Sequence, residues 1–339
     1  MTITKSRNRN AKDLPSGISS RSSQNLHSHK HEFLASAAIF FFALALRGAY
    51  LAEIKNTPLF SNLIGDALSY DTWARDIAGG NWLGNQVFYQ APLYPYFLGV
   101  LYAVFGRNLL LVRLIQIVLG SLSCVILAQA GRVFFTRRAG IVAGVILALY
   151  PPAIFSDCLI QKSVLDLLFM SLLLYLLALM SRRLSSGLCI STGVVLGFLA
   201  LTRENALALP IMILAWLLVH YRGESGSTRL RHAAWIVLGS SLVLLPVAVR
   251  NKAVGGDFYL TTSQFGPNFY VGNNKNATGM YAGLIRGHES AEYERRDATD
   301  LAETAVGRKL NAGEVSSYWS EKTLSDIRAE PVRWLRLLA

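Results

Sequence analysis

Charge is what this sequence has least of: 16% of its 339 residues are Asp, Glu, Lys or Arg, whereas 52% are hydrophobic. A soluble domain carries about a quarter charged residues, so this composition, with a mean hydropathy of +0.35, excludes an ordinary water-soluble fold. Acids are scarcer than bases, 21 against 33, giving a net charge of +12. In a soluble chain that excess would suggest nucleic acid; in a membrane chain it is first a topology signal. Cysteine is nearly absent. Cys124, Cys158 and Cys189 lie in or beside apolar runs without CxxC spacing, which excludes a disulfide or zinc framework. Residues 1–32 contain no apolar run near their start, so they do not read as a cleaved signal peptide. This serine-rich, basic stretch is expected to be a disordered cytoplasmic tail, with His27, His29 and His31 of "HSHKH" solvated rather than metal-bound.

What is present is a series of apolar runs at roughly 33–52, 109–130, 139–156, 163–180, 187–201, 205–219 and 233–250. They predict an all-α polytopic membrane protein, its shorter spans accommodated by tilt or bilayer thinning. The run 92–106, "PLYPYFLGVLYAVFG", is too short to span and predicts a helix lying in the interface, with Pro92 at its start and Gly106 at its stop. If it does not span, Arg132, Arg137, Arg138, Arg182, Arg183, Arg222, Arg229 and Arg231 all share the cytoplasmic side with the basic tail. Four segments then converge on the outer face: 53–108, the turn 157–162, the "LTREN" break at 201–205 and the tract 251–330.

The first of these contains "IGDALSYDTWARDIAGG". Ala67, Tyr70, Trp73, Ala74 and Ile77 recur at helical spacing, which predicts an amphipathic helix over 67–78 with Trp73 as interface anchor. Asp66 then falls at the N-cap, where it either bonds the first free N–H groups or serves as a general base at the lipid boundary. Asp71 and Asp76 are placed to pair with Arg75. In the last tract, "GGDFYLTTSQFGPNFYVGNNKNATG" is β-prone between Gly and Asn turns and 288–329 is helix-prone, so a small mixed outer domain is expected over 251–330. "VRWLRLLA" reads as the start of a further span at 331–339, where the chain appears cut short.

The order of Gly65-Asp66 with its amphipathic helix, "QAPLYPYFLGVLYAVFG", "GRVFFTRRAG", "LALYPPAIFSD", "GFLALTREN" and "LPVAVRN…GNNKNATG" resembles the GT-C superfamily of multi-pass glycosyltransferases. The resemblance is to the branch of dolichyl-phosphate-mannose protein mannosyltransferases and lipid A aminoarabinose transferases, and covers about 33–339. It implies transfer of a sugar from a polyprenyl-phosphate donor to a lipid, glycan or protein acceptor at the outer face. It also implies a bacterial inner membrane with the N-terminus in the cytoplasm.

Under this resemblance Asp66 matches the acceptor-activating aspartate and Asp157 a second acidic position, the pair being the place for a divalent metal ion if one is used. Arg203 and Arg250 are the candidates to hold the donor phosphate, because guanidinium matches phosphate geometry; Asn251 follows Arg250 as in the family motif. Gln90 stands where many relatives carry a cation, leaving an amide to bond the phosphate. Tyr89 and Tyr94 are placed to stack on a sugar ring or to join the aromatic belt. Two readings compete: a non-catalytic scaffold or carbohydrate-binding relative, and a secondary transporter, for which only the 201–205 break can be cited and no inverted repeat is found.

Overall fold

The computed structural model describes residues 17–288 and 291–338, with only the backbone described over 17–29 and 291–292. Of the tail expected over 1–32, residues 1–16 therefore lie outside the described residues, as do the His27 and His29 side chains. The first helix, α1, runs Gly17–Ile54, and its apolar part is Lys30–Ile54. It is followed by α2 (Pro58–Ser61), α3 (Asp66–Ala78) and α4 (Leu93–Phe105). The membrane core continues as α5 (Leu109–Phe134), α6 (Arg137–Leu149), α7 (Pro151–Asp157), α8 (Ser163–Arg182) and α9 (Ser186–Ala200). A 3₁₀ turn, Glu204–Ala208, leads into α10 (Leu209–His220) and then α11 (Gly226–Gly255).

Among the described residues four helices are long and apolar enough to cross a bilayer: the Lys30–Ile54 part of α1, α5, α8 and α11. The pair α6 and α7, bent by 59°, is long and apolar enough only when taken together, the geometry of a broken span or a re-entrant loop. The bend has a local cause. Pro151 and Pro152 supply no N–H, and proline forces Tyr150 out of the helical region, to φ −72° and ψ 108°. The apolar run 187–219 is broken at 201–203 into α9 and the pair of the 3₁₀ turn with α10, as expected of two short apolar helices.

Glycine sets the closest packing. A Cβ on Gly193 would run into the Ile236 carbonyl and one on Gly239 into the Ile190 carbonyl, so α9 and α11 touch backbone to backbone. Such small-residue contacts are how helices associate without a hydrophobic driving force. Ser240 seals the contact by donating to the Gly193 carbonyl at 3.0 Å.

One end of the bundle is basic. Arg137 donates to the His31 carbonyl, Arg132 pairs with Glu32, and Arg182 donates to the Val133 carbonyl at 2.6 Å. The start of the apolar part of α1, the α5–α6 turn and the end of α8 therefore share that end. At the other end, α4 abuts α9: the Leu93 N–H donates to the Leu201 carbonyl at 3.2 Å.

Beyond α11 the tract 251–330 differs from the expected mixed domain, for among the described residues it contains no strand. It folds as α12 (Phe265–Asn273), α13 (Ala291–Val306) and α14 (Ala312–Ala329), followed by α15 (Pro331–Leu338). The β-prone residues 259–263 have no adjacent strand to ladder with; instead Asn251 donates to the Tyr259 and Thr261 carbonyls, and the Ser263 N–H donates to Phe88 at 2.9 Å. A small core of Ala298, Ala302, Val315 and Trp319 joins α13 to α14. Asn311 and Glu314 form a capping box at the start of α14.

Candidate functional site

The four segments that the arginine pattern placed together do meet. A cavity of about 490 Å³ is lined by Asp66 and Gln90 from the first loop, Lys162 from the α7–α8 turn and Glu204 from the break after α9. Gln264, Asn268, Tyr281 and Glu294 line it from the last tract. A second cavity, of about 610 Å³, lies along α3 and the loop 81–90; its walls include Trp73, Phe88, Tyr89, Arg250 and Arg295. Gln90 lines both.

Asp66 is not the N-cap. Gly65 takes that place with φ +55°, a conformation that costs an L-residue but not glycine, and Asp66 is the first residue of α3. Its exposed carboxylate makes no cap bond. It accepts from Gln90 Nε2 at 3.1 Å, while Gln90 Oε1 accepts from the Ser69 hydroxyl at 2.8 Å. The Gln90 amide is thus held at both ends by α3, and Asp66 keeps its second oxygen open to the cavity. Across the cavity, the Lys162 ammonium makes no hydrogen bond or ion pair among the described residues. Glu204 accepts from Thr262 at 3.1 Å and Gln264 at 2.7 Å, tying the 201–205 break to the last tract.

Below α3, Asp71 is buried and collects Tyr102 and Arg107 at 2.8 Å each and Arg75 at 3.2 Å. The spacing to Arg75 was legible; Tyr102 and Arg107 fasten α3 to α4 in addition. Trp73, expected as an interface anchor, packs against Phe88 and Tyr96 with centroids 5.3 and 6.3 Å apart and faces the larger cavity.

Several residues singled out from sequence sit elsewhere. Asp157 is 1% exposed and bound at 2.7 Å to Arg47, itself 0% exposed. It lines neither cavity, and its partner is Arg47 rather than Lys162. Asp66 and Asp157 therefore do not form a two-carboxylate site, and among the described residues no group of three His, Cys, Asp or Glu side chains could hold a metal ion. The residues present do not fit a metal. Tyr94 is fully buried, its hydroxyl donating to Gln116 at 2.6 Å, so it cannot stack on a sugar in either cavity.

Asn251 is likewise buried, its amide spent on Phe88, Tyr259 and Thr261. Arg203 pairs with Asp166 at 2.6 Å and is 57% exposed, outside both cavities. Arg250 faces the larger cavity, but it lies 3.7 Å over the Phe88 ring and donates to the carbonyls of Leu83 and Gln86. Tyr89 does line the larger cavity.

Glu294 is the residue that sequence reasoning missed. It accepts from the Tyr281 hydroxyl at 2.6 Å and shares the smaller cavity with Asp66. Burial first, and then the Asp66 charge, push its carboxyl above the ordinary range despite the Tyr281 bond. No motif marks it; only the docking of α13 against the first loop brings it in.

Residues 89–249 match the model of a family described as dolichyl-phosphate-mannose-protein mannosyltransferase. The match takes in Gln90, Lys162, Arg203 and Glu204 and stops short of Asp66 on one side and Arg250 on the other. No curated protein and no solved structure matches the chain.

Proposed function

We propose that the chain is a multi-pass membrane glycosyltransferase of the GT-C type, and that it moves a sugar from a polyprenyl-phosphate donor to an acceptor hydroxyl in the smaller cavity, with Asp66 as general base. The observation that carries the reading is the arrangement of Asp66: one oxygen anchored by Gln90, the other open, with an unpaired Lys162 lining the same cavity. In the reaction the acceptor O–H gives its proton to the free Asp66 oxygen. The acceptor oxygen bonds to the anomeric carbon as the bond from that carbon to the phosphate oxygen breaks. The departing polyprenyl phosphate takes the electron pair, and its added charge is met by Lys162. Gln90 replaces the cation of many relatives and in this reading acts on the base rather than on the phosphate.

The cavity end is assigned to the outer face, since the opposite end carries the arginines of the α5–α6, α8–α9 and α10–α11 turns and so faces the cytoplasm. On that assignment the N-terminus is in the cytoplasm, and the membrane proposed is a bacterial inner membrane.

The test compares wild type with Asp66→Asn in membranes, matched for folded protein, for label transfer from a panel of polyprenyl-phosphate sugars. Loss of about 10²–10⁴ in rate is expected of a general base. Since Asp66 makes no cap bond, stability should hardly change. Equal transfer by both proteins would exclude Asp66 as the base, and a folded wild type inert towards the whole panel would favour the scaffold reading.

A further inference from the structure

Arg295 has an unusual setting for a cation. It lines the 610 Å³ cavity and also a neighbouring one of about 430 Å³, so it stands where the two adjoin. Among the described residues its guanidinium makes a single hydrogen bond, from Nη1 to the Val87 carbonyl at 3.2 Å, and no ion pair. A guanidinium carries five N–H donors, and most of those on Arg295 are left without a protein acceptor. Burial, the largest cause, lowers the Arg295 pKa; Tyr89 opposes the shift, and the charge of Arg250 adds to it by repulsion. Arg250 in turn is satisfied by carbonyls and by Asn251 Oδ1, with no carboxylate partner. Asp76 also lines the cavity, but it pairs with neither arginine.

Two guanidiniums repelling one another at a half-buried cavity wall is a costly arrangement, and an anion between them removes both the repulsion and the unmet donors. We propose that Arg295, with Arg250 behind it, is a seat for an oxyanion, a phosphate or carboxylate, carried by a substrate that lies in the larger cavity. Tyr89, whose ring centroid is 5.9 Å from the Arg295 guanidinium, completes that wall with an aromatic face. That the anion belongs to a substrate rests on the transferase reading; the seat itself does not. The oxyanion is either the phosphate of the lipid donor, in which case Arg295 and not Lys162 is its main cation, or an acidic group on the acceptor; both would meet the same fork of N–H groups.

The experiment measures binding without turnover, by thermophoresis of the full chain in detergent. The probes are a short-chain polyprenyl phosphate, its uncharged polyprenol, a uronic-acid oligosaccharide and its neutral counterpart. Arg295→Gln should weaken one anionic probe about tenfold to a hundredfold, as loss of a charge-assisted hydrogen bond does, and leave the uncharged probes unchanged. Loss confined to the polyprenyl phosphate assigns the seat to the donor; loss confined to the acidic glycan assigns it to the acceptor. Should Arg295→Gln fail to fold, wild type answers alone: an arginine-selective dicarbonyl should modify Arg295, and the bound anion should protect it in peptide maps. Unchanged affinity for both anionic probes, or no protection by either, overturns the proposal. A chain that binds the anion through Arg295 yet transfers no sugar would retire the transferase reading and leave the seat standing.

Discussion

Replacing Asp157 by Asn removes one charge from the interior and keeps the shape of the side chain. The Arg47 partner is buried with it, and the 2.7 Å contact is its one strong bond: Nη1 reaches only the Ala43 carbonyl at 3.4 Å, and Nη2 has no acceptor. Leaving such a charge uncompensated costs about 3–5 kcal/mol, whereas replacing both partners by apolar residues of similar size is often neutral. Asp157→Asn should therefore lower the thermal midpoint in detergent sharply, and Arg47→Met with Asp157→Val should recover most of the loss. Differential scanning of the purified variants measures both the loss and its recovery, and label transfer by the double variant reports whether the pair takes part in the chemistry. If the pair is structural, the double variant folds and still transfers sugar. An Asp157→Asn protein of unchanged stability that has lost transfer would refute the reasoning and return Asp157 to the chemistry.

Other outcomes follow from the same contacts. Because burial holds the folded Glu294 carboxyl above its unfolded value, the folded state keeps a proton that the unfolded state gives up. Stability should fall as pH rises from the ordinary carboxylate range through the raised value, and Glu294→Gln should flatten that slope in pH-dependent melts. Gly193→Leu forces α9 away from α11 and should cost about 1–3 kcal/mol or more, read as a lower midpoint and a poorer yield of monodisperse protein. Gly84 has φ +62°, and a Cβ there would lie 2.8 Å from Arg250 Nη2. Gly84→Ala should thus cost about 1–2 kcal/mol from backbone strain alone and speed hydrogen exchange over 81–88.

Much of the membrane core was legible because hydropathy is a local signal: the starts of α5 and α8 fall where the apolar runs begin, and the break at 201–205 shows as a charged pair between two apolar stretches. The α3 helix was legible from its periodicity, though its cap was displaced by one residue because glycine at positive φ can occupy the place an aspartate usually takes. The convergence of four loops followed from arginine counting, which works because each span reverses the chain. What stayed hidden depends on partners far apart. Arg47 and Asp157 are separated by 110 residues, and nothing local to either announces the other. Asp66 and Glu294 meet only through the packing of α13. The tract after α11 was misread for a related reason, since Tyr259 to Ser263 have strand-forming side chains, but strand formation requires a neighbour that the fold does not supply.

The loop that carries Asp66 is clamped by residues made long after it. Arg250 holds the Leu83 carbonyl across 167 residues, Ser263 holds Phe88 across 175, and Arg295 holds Val87 across 208. At about 5–20 residues per second, a ribosome needs about 10–40 s to travel from the loop to its last clasp. Throughout that interval residues 83–88 lack these clasps and the smaller cavity lacks the wall supplied by Gln264, Asn268, Tyr281 and Glu294. Completion of the pocket is thus a late event in the life of the nascent chain, and a chain arrested in α11 would present Asp66 facing Lys162 and Glu204 alone.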